Sequence, residues 1–141
     1  MKNKIILLIE DNPDDVKLTL RALKQNNILN ELVIKNDGEE ALKYLAQSAT
    51  LPTVILLDLK LPKINGVEVL RRIRADERLK RLPVVILTSS KEEQDIIKSY
   101  DNGANSFIRK PVDFEQFTEV VRQMGMYWLL LNEPPPKGAA I

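Results

Sequence analysis

The sequence predicts an α/β domain built on a doubly wound, five-stranded parallel sheet, with strand order 2-1-3-4-5 and five helices. Five short apolar segments alternate with five amphipathic ones, which is typical of a parallel sheet covered by helices on both faces. Segments 5–9, 54–57 and 84–87 are apolar throughout, as strands buried on both faces are. Segments 32–34 and 106–108 are shorter and more mixed, so they are predicted to be the edge strands.

Each predicted helix begins at a recognisable start signal. Asn12 is a good N-cap and Pro13 suits the first helical position. The later start signals are Asp37-Gly38, Asn65-Gly66, the capping-box pair Ser90 and Glu93, and the pair Asp113 and Gln116. The side chains expected to face the core are Val16, Leu20 and Leu23 in the first helix, Leu42 and Leu45 in the second, and Val69, Leu70 and Ile73 in the third. In the fourth helix, Ile96, Ile97 and Tyr100 lie on one side.

Length and composition limit the class of protein. A chain of 141 residues suits one domain, predicted over residues 1–132, followed by a Pro-rich tail over 133–141. The 21 basic and 20 acidic residues give a net charge of +1, so no general attraction to nucleic acid or to an anionic membrane is expected. The absence of cysteine and histidine excludes disulfides, thiolate chemistry and imidazole catalysis.

No targeting or membrane segment is predicted. The apolar run that follows the basic amino terminus has only five residues, against roughly 7–15 in the core of a signal peptide. No run approaches the ~20 apolar residues of a membrane span, so we expect a cytoplasmic protein.

Two charged stretches are expected to be solvated. They are the helix face formed by Glu68, Arg71, Arg72 and Arg74, and the segment 76–81.

Three acidic residues follow the two central strands of the predicted sheet. Glu10 and Asp11 come directly after the first strand, and Asp58 comes directly after the third. The order 2-1-3-4-5 places its switch point between these strands, where open α/β sheets bind ligands. Clustered carboxylates repel one another unless protons or a cation neutralise them. Oxygen ligands without imidazole or thiolate favour Mg²⁺.

Two further polar residues complete a site for phosphoryl transfer. Thr88 leaves the fourth strand with a hydroxyl group, and Lys110 leaves the fifth strand with an ammonium group. Asp58 is predicted to attack the phosphorus atom, while Mg²⁺ and Lys110 neutralise the phosphoryl oxygens and Thr88 donates a hydrogen bond to one of them.

Together these residues resemble the receiver domain of two-component response regulators, over roughly residues 4–130. The matching pieces are Glu10-Asp11, Asp58 followed by Leu61-Pro62 and Gly66, Thr88-Ser89, and Lys110-Pro111. The resemblance implies a flavodoxin-like fold and a regulator that is not an enzyme beyond its own phosphorylation and dephosphorylation. A histidine kinase would phosphorylate Asp58, and a surface change on the fourth helix, fifth strand and fifth helix would signal to a downstream protein.

The resemblance also implies roles for individual residues. Asp11, Asp58 and the backbone carbonyl of Lys60 would bind Mg²⁺ directly, and Glu10 would act through water. Thr88 and Phe107 would form the switch. The Lys110–Pro111 peptide would be cis, against about 5% of X–Pro bonds in general. Lys60 and Ser90 occupy positions that tune phosphoryl lifetime in the family.

Other interpretations remain open at this stage. Asp58 could lack chemistry, Glu10 and Asp11 could cap a helix, and Ser90 is better explained as a cap. Thr88, Phe107 and Lys110 could be an ordinary strand end, a core aromatic and a solvated lysine. A phosphatase with an aspartyl nucleophile typically has a second Asp two residues on, where this chain has Lys60. A receiver-like interaction module not regulated by phosphate is the remaining alternative.

The carboxyl-terminal helix is apolar on several faces at its end. Phe114, Phe117, Val121, Met124, Trp128 and Leu131 form one stripe, and Met126, Tyr127, Leu129 and Leu130 lie on other faces. This end could fold back on its own domain, but we expect a partner surface, most simply a symmetric homodimer. The residues predicted for it are Ile97, Tyr100, Phe107, Phe117, Met124, Tyr127, Trp128 and Leu131. The ending YWLLLNEPPP resembles the small response regulators of bacterial phytochrome kinases.

Overall fold

The computed structural model describes residues 4–90, 92–110 and 113–135. Its centre is a five-stranded parallel sheet in the order β2-β1-β3-β4-β5, so the predicted fold class and strand order are confirmed. The strands are β1 Ile5–Ile9, β2 Glu31–Lys35, β3 Val54–Leu57, β4 Val84–Thr88 and β5 Ser106–Arg109. The three central strands are buried along their whole length, and the edge strands β2 and β5 are partly exposed.

Five α-helices connect and follow the strands: α1 Pro13–Gln25, α2 Gly38–Gln47, α3 Gly66–Ala75, α4 Glu93–Asp101 and α5 Phe114–Gly125. The predicted N-caps Asn12, Asp37, Asn65 and Asp113 each accept a hydrogen bond from an amide of the first helical turn. The capping box predicted for α4 is wrong. That helix begins only at Glu93, after Glu92, and Ser90 belongs to the preceding loop.

The core consists of two layers, one on each face of the sheet. Alternate residues along every strand point to opposite faces, so each central strand contributes to both layers. One layer packs α2 and α3 against the sheet through Leu45, Val69, Leu70 and Ile73. The other packs α1 and α5 through Ala22, Leu23, Phe117, Val121 and Met124. Each fully buried large apolar side chain contributes about 1.5–3 kcal/mol, and these layers fix where the strands end.

Tertiary contacts overrule the sequence pattern at several helix positions. Leu20 is 42% exposed, and Thr19 and Ala22 face the core of α1 in its place. Arg74 is half-buried, and its guanidinium donates to the carbonyl oxygens of Gly103, Lys80 and Leu82 and to Asn105 Oδ1. The prediction of a solvated residue is therefore wrong for Arg74, whereas Arg71 and Arg72 are exposed and pair with Glu68.

The segment 76–81 also differs from the sequence expectation. Leu79 within 76–81 is buried, and the guanidinium of Arg78 donates to the carbonyl oxygens of Leu45 and Ser48 at the end of α2. This segment is therefore attached to the domain. In α4, the small residue Ser99 faces inward, and Ile97 and Tyr100 are exposed.

The helix α5 continues as a π-helix over Met126–Leu131. The amide of Asn132 donates to the carbonyl of Tyr127, five residues earlier, at 2.6 Å. The wider π turn changes which residue faces the domain, so Leu129 is 4% exposed whereas Leu130 and Leu131 are 77% and 67% exposed. Lys4 at the start of the sheet donates a short hydrogen bond to the carbonyl of Leu129.

The sequence prediction of a partner surface is therefore wrong for two residues. Phe117 and Met124 are buried in the layer that joins α5 to the sheet.

Among the described residues, none of the helices has both the length and the apolar character that crossing a membrane requires. The predicted tail is described as far as Pro135, and residues 136–141 lie outside the described part.

Candidate functional site

The pairing of β1 with β3 brings the acidic residues to one edge of the sheet. Ile9 of β1 lies in register with Leu57 of β3, so Glu10 and Asp58 leave the sheet side by side. The amide of Asp58 donates to the carbonyl of Ile9 at 3.1 Å, which extends the ladder by one bond beyond β3. The backbone of this edge is thus fixed up to the two carboxylates.

Glu10, Asp11 and Asp58 form an acidic pocket. One carboxylate oxygen from each lies within 4.8 Å of the others. Glu10 and Asp58 are buried, at 2% and 8% exposed, whereas Asp11 is exposed and leaves one side open. A set of close carboxylate oxygens with an open side fits a hard divalent cation such as Mg²⁺. These are the three residues that the sequence predicted for the metal.

Lys110 reaches into the same edge from the end of β5. Its Nζ donates a short hydrogen bond to Glu10 Oε1 and a second bond to Asp15 Oδ2 at 3.0 Å. Its distance to Asp58 Oδ2 is 3.7 Å. The sequence prediction that Lys110 faces Asp58 therefore agrees with the geometry.

The buried charges shift two pKa values in this edge. Burial raises the pKa of the Glu10 carboxyl to about 7, because the hydrogen bond from Lys110 does not offset burial and the repulsion from Asp58. Burial alone would lower the pKa of the Lys110 ammonium. The hydrogen bond to Glu10 and the negative charge of Asp58 outweigh burial and raise it. The edge therefore holds more negative charge than Lys110 alone can neutralise at high pH.

Thr88 ends β4 next to this site and is fully buried. Its Oγ1 accepts a bond from the amide of Ser90 at 3.4 Å, and its carbonyl accepts one from the amide of Lys110 at 2.8 Å. Ser90 Oγ donates a short hydrogen bond to Asp95 in α4. Thr88 is therefore connected to Lys110 on one side and to the start of α4 on the other.

Phe107 lies on the neighbouring edge strand. It pairs in register with Ile86 of β4, is half-buried, and packs against the core layer beneath α2 and α3. It therefore occupies an intermediate position between a core aromatic and a surface residue, on the strand beside Thr88.

The loop after Asp58 is held close to it by Gly66. The amide of Lys60 donates to Asp58 Oδ1 at 3.4 Å, and the side chain of Lys60 is exposed. The amide of Gly66 donates to the carbonyl of Leu59 at 2.9 Å. A Cβ at position 66 would overlap the Asp58 carbonyl and lie 2.6 Å from Leu59 Cα, so only glycine allows α3 to begin this near to Asp58.

One predicted feature of this region lies outside the described residues, and one observed contact was not predicted. The cis Lys110–Pro111 peptide involves Pro111, which lies outside the described residues. Asp15 lies in the first turn of α1, and its bond to Lys110 was not predicted from the sequence. Asp11 precedes the N-cap Asn12 and is not part of α1, so helical spacing from Asp11 gave no signal for this contact.

The residues predicted for a partner surface do not form one uniform patch. Ile97, Tyr100, Tyr127 and Leu131 are exposed, Phe107 and Trp128 are half-buried, and Phe117 and Met124 are buried. Trp128 meets Tyr127 edge-on, with ring centroids 4.9 Å apart. The exposed members lie on α4 and on the π-helix.

Comparison with known protein families gives one match over most of the chain. The model of the response regulator receiver domain matches residues 6–122. Two curated relatives are 40% identical to the chain. The probable methanogenesis regulatory protein FilR2 of Methanothrix harundinacea aligns over 93% of this chain and 87% of its own length. The response regulator Rcp1 of Synechocystis sp. aligns over 89% of both chains.

Solved structures give similar results. The phosphorylated cyanobacterial phytochrome response regulator RcpA has a TM-score of 0.89 at 41% identity, covering 95% of this chain and 99% of that one. The Mn²⁺-bound form of Rcp1 has a TM-score of 0.86 at 38% identity, covering 94% and 99%. The bacteriophytochrome response regulator RtBRR is 48% identical, with a TM-score of 0.75, covering 96% and 86%.

Proposed function

The chain belongs to the response regulator receiver family, and from that premise we propose that Asp58 accepts a phosphoryl group from a histidine kinase, with Mg²⁺ in the acidic pocket. The observation that carries this proposal is the convergence of Glu10, Asp11 and Lys110 on Asp58 at one edge of the sheet. A buried carboxylate between a cation site and a lysine has the surroundings that a phosphoryl acceptor needs.

The proposed reaction is a transfer between two residues. A carboxylate oxygen of Asp58 attacks the phosphorus of a phosphohistidine, the new O–P bond forms, and the P–N bond breaks to leave the imidazole of the kinase. Lys110 and Thr88 donate hydrogen bonds to the phosphoryl oxygens. When bound, Mg²⁺ would be held by Asp11, Asp58 and the Lys60 carbonyl, with Glu10 acting through water, and would supply positive charge for these oxygens.

Output would follow from movement of Thr88 toward the phosphoryl group. The hydroxyl of Thr88 accepts a bond from the amide of Ser90, and Ser90 bonds to Asp95 of α4. A shift of Thr88 would therefore disturb the start of α4 and leave space for Phe107 to pack inward. The surface of α4, β5 and α5 is the proposed readout for a downstream protein.

A bacterial phytochrome is the proposed class of kinase. Support comes from the similarity to RcpA and RtBRR, which are phytochrome response regulators. FilR2, a probable methanogenesis regulatory protein, and Rcp1 are each 40% identical to the chain, so sequence identity alone does not select the pathway. A phosphotransfer profile against purified histidine kinases tests this part, and fastest transfer from a kinase without a phytochrome module would contradict it.

We also propose that the chain forms a symmetric homodimer through α4, β5 and the end of α5. The support is the set of exposed apolar side chains, Ile97 and Tyr100 on α4 and Tyr127, Leu130 and Leu131 on the π-helix. Exposed aromatic and aliphatic groups are typical of protein interfaces.

The decisive experiment for the acceptor is phosphorylation with a small acyl-phosphate or phosphoramidate donor and Mg²⁺, followed by intact-mass measurement. The wild type should gain one phosphoryl group and Asp58→Asn none. Asp14→Asn, which removes an exposed acid from α1, is the matched control and should be labelled like the wild type. Equal labelling of Asp58→Asn would show that the acceptor is another residue. Failure of the wild type to bind beryllofluoride with Mg²⁺ would favour an interaction module not regulated by phosphate.

A further inference from the structure

Lys110 has a carboxylate partner that lies outside the acidic pocket. Its Nζ lies 3.0 Å from Asp15 Oδ2 and 3.7 Å from Asp58 Oδ2, and it also donates to Glu10. An ammonium group has three N–H donors. Two of them are used by Glu10 and Asp15, which leaves the third for a group at Asp58.

Asp15 is presented by a well-fixed part of α1. Its amide is within 3.3 Å of the capping oxygen of Asn12, and its carbonyl accepts a bond from the hydroxyl of the buried Thr19 at 2.9 Å. The Asp15 side chain itself is 32% exposed. The backbone that carries this carboxylate is therefore anchored at both its amide and its carbonyl.

The three carboxylates around Lys110 differ in what a cation would do to them. Glu10 and Asp58 belong to the group whose oxygens lie within 4.8 Å of one another, and that group does not include Asp15. A cation in the acidic pocket would be neutralised by the negative charges of Glu10 and Asp58. The negative charge of Asp15 would then remain paired with the Lys110 ammonium.

We propose that Asp15 is a positioning residue for phosphoryl binding: it holds the Lys110 ammonium at the edge of the acidic pocket, so that the third N–H meets an oxygen of the phosphoryl group on Asp58. This inference rests on the proposed function, because it assigns Lys110 the role of phosphoryl ligand. Asp15 itself touches neither the phosphoryl group nor the cation.

Whether removal of the Asp15 carboxylate weakens or strengthens anion binding distinguishes a positioning role from a general effect of charge. Removing a negative charge near an anion site ordinarily strengthens anion binding, because it removes repulsion. Loss of a positioning residue weakens binding, because Lys110 must then be ordered without its partner. Asp14 is the matched control, since it is an exposed acid one residue away in the same helical turn.

The experiment measures beryllofluoride affinity in the presence of Mg²⁺ for the wild type, Asp15→Ala, Asp14→Ala and Asp15→Glu. Asp15→Ala should bind about threefold more weakly, the scale expected for a partly exposed ion pair. Asp14→Ala should match or slightly exceed the wild type, and Asp15→Glu should recover part of the loss. The Mg²⁺ affinity of Asp15→Ala should stay within about twofold of that of Asp14→Ala.

A second readout needs neither metal nor phosphoryl mimic. In the metal-free protein, solvent exchange of the Lys110 ammonium protons, followed by NMR, should be faster in Asp15→Ala than in Asp14→Ala. Beryllofluoride binding by Asp15→Ala that equals or exceeds that by Asp14→Ala overturns the role. If the wild type binds no beryllofluoride, the proposed function fails and the role of Asp15 fails with it, while the ammonium exchange still shows whether the Asp15–Lys110 contact forms.

Discussion

The acidic pocket and the carboxyl-terminal π-helix break the usual burial rule in opposite ways. In the acidic pocket, Glu10 and Asp58 are charged groups that are 2% and 8% exposed. In the π-helix, Leu130 and Leu131 are apolar groups that are 77% and 67% exposed. Ionisable groups are rarely buried without a partner, and contiguous apolar groups are rarely left in water without a use. Both regions therefore depart from what folding alone favours.

The difference between the two regions lies in how each departure is compensated. Lys110 lies against all three carboxylates Glu10, Asp15 and Asp58, so the burial of charge is partly offset within the chain. The exposed leucines of the π-helix have the opposite character, because compensation there requires a surface from another molecule. The first region can be tested in the isolated chain, and the second only through association.

Lys110→Met is expected to have the largest effect, because it breaks the compensation inside the acidic pocket. Removing one partner of a buried ion pair costs about 3 kcal/mol of unfolding free energy, measured by urea denaturation of the metal-free protein near pH 8. Addition of Mg²⁺ should restore part of this loss. Lys60→Met, which changes an exposed lysine near Asp58, is the control and should have little effect. Equal stability of the two variants would show that Lys110 does not compensate the buried charge.

Gly66→Ala should follow, with a loss of about 2 kcal/mol in the free energy of unfolding. The added Cβ meets the backbone of Asp58 and Leu59, which cannot move without displacing the acceptor loop. Gly125→Ala is the control, because its Cβ meets mainly the end of the flexible Ile28 side chain and alanine favours a helix. The control should be near neutral in thermal and urea unfolding. A neutral Gly66→Ala would mean that the loop does not need the close approach.

Mg²⁺ binding is expected to depend on pH through Glu10. Its carboxyl pKa is raised from 4.5 to about 7, so protons compete with the cation below that pH. Affinity measured by titration calorimetry should fall about tenfold between pH ~8 and pH ~6. Since the folded protein binds this proton more tightly than the unfolded chain does, the metal-free protein should also gain stability as the pH falls from about 7 toward 4.5.

Glu10→Gln is the control for this pH dependence. The amide does not titrate, so the Mg²⁺ affinity of this variant should change little over the same pH range. A tenfold fall that persists in Glu10→Gln would assign the titration to another group in the acidic pocket.

The comparison also shows which features could be predicted from the sequence. The strands, their order and the position of Glu10, Asp11 and Asp58 follow from local signals, because apolar runs end where acids begin. The bond from Lys110 to Asp15 joins residues that are 95 positions apart, so no local signal in the sequence could predict it.

The errors at the helices have physical causes of the same kind. Leu20 was placed inward because an ideal helical period extends through it, but packing selects Thr19 and Ala22 instead. The sequence pattern placed Leu131 in the apolar stripe and Leu129 on another face. After Gly125 the backbone hydrogen bond spans five residues instead of four, so Leu129 is buried and Leu131 is exposed. The sequence predicts a surface position for Arg74, because the carbonyl groups that accept its hydrogen bonds come from loops that only the folded structure brings near it.

The smallest effect on stability is expected at the π-helix, where the double variant Leu130→Ala/Leu131→Ala should change the unfolding free energy by less than about 0.5 kcal/mol. Both side chains are largely exposed, so truncation leaves no cavity in the domain. Sedimentation velocity should nevertheless show a shift from dimer to monomer, because the truncated area would lie in the proposed interface. Leu20→Ala removes an exposed leucine from α1 and should leave sedimentation unchanged. A wild type that sediments as a monomer, or a double variant that sediments as the wild type does, would mean that these leucines are covered by something other than a second copy of the chain.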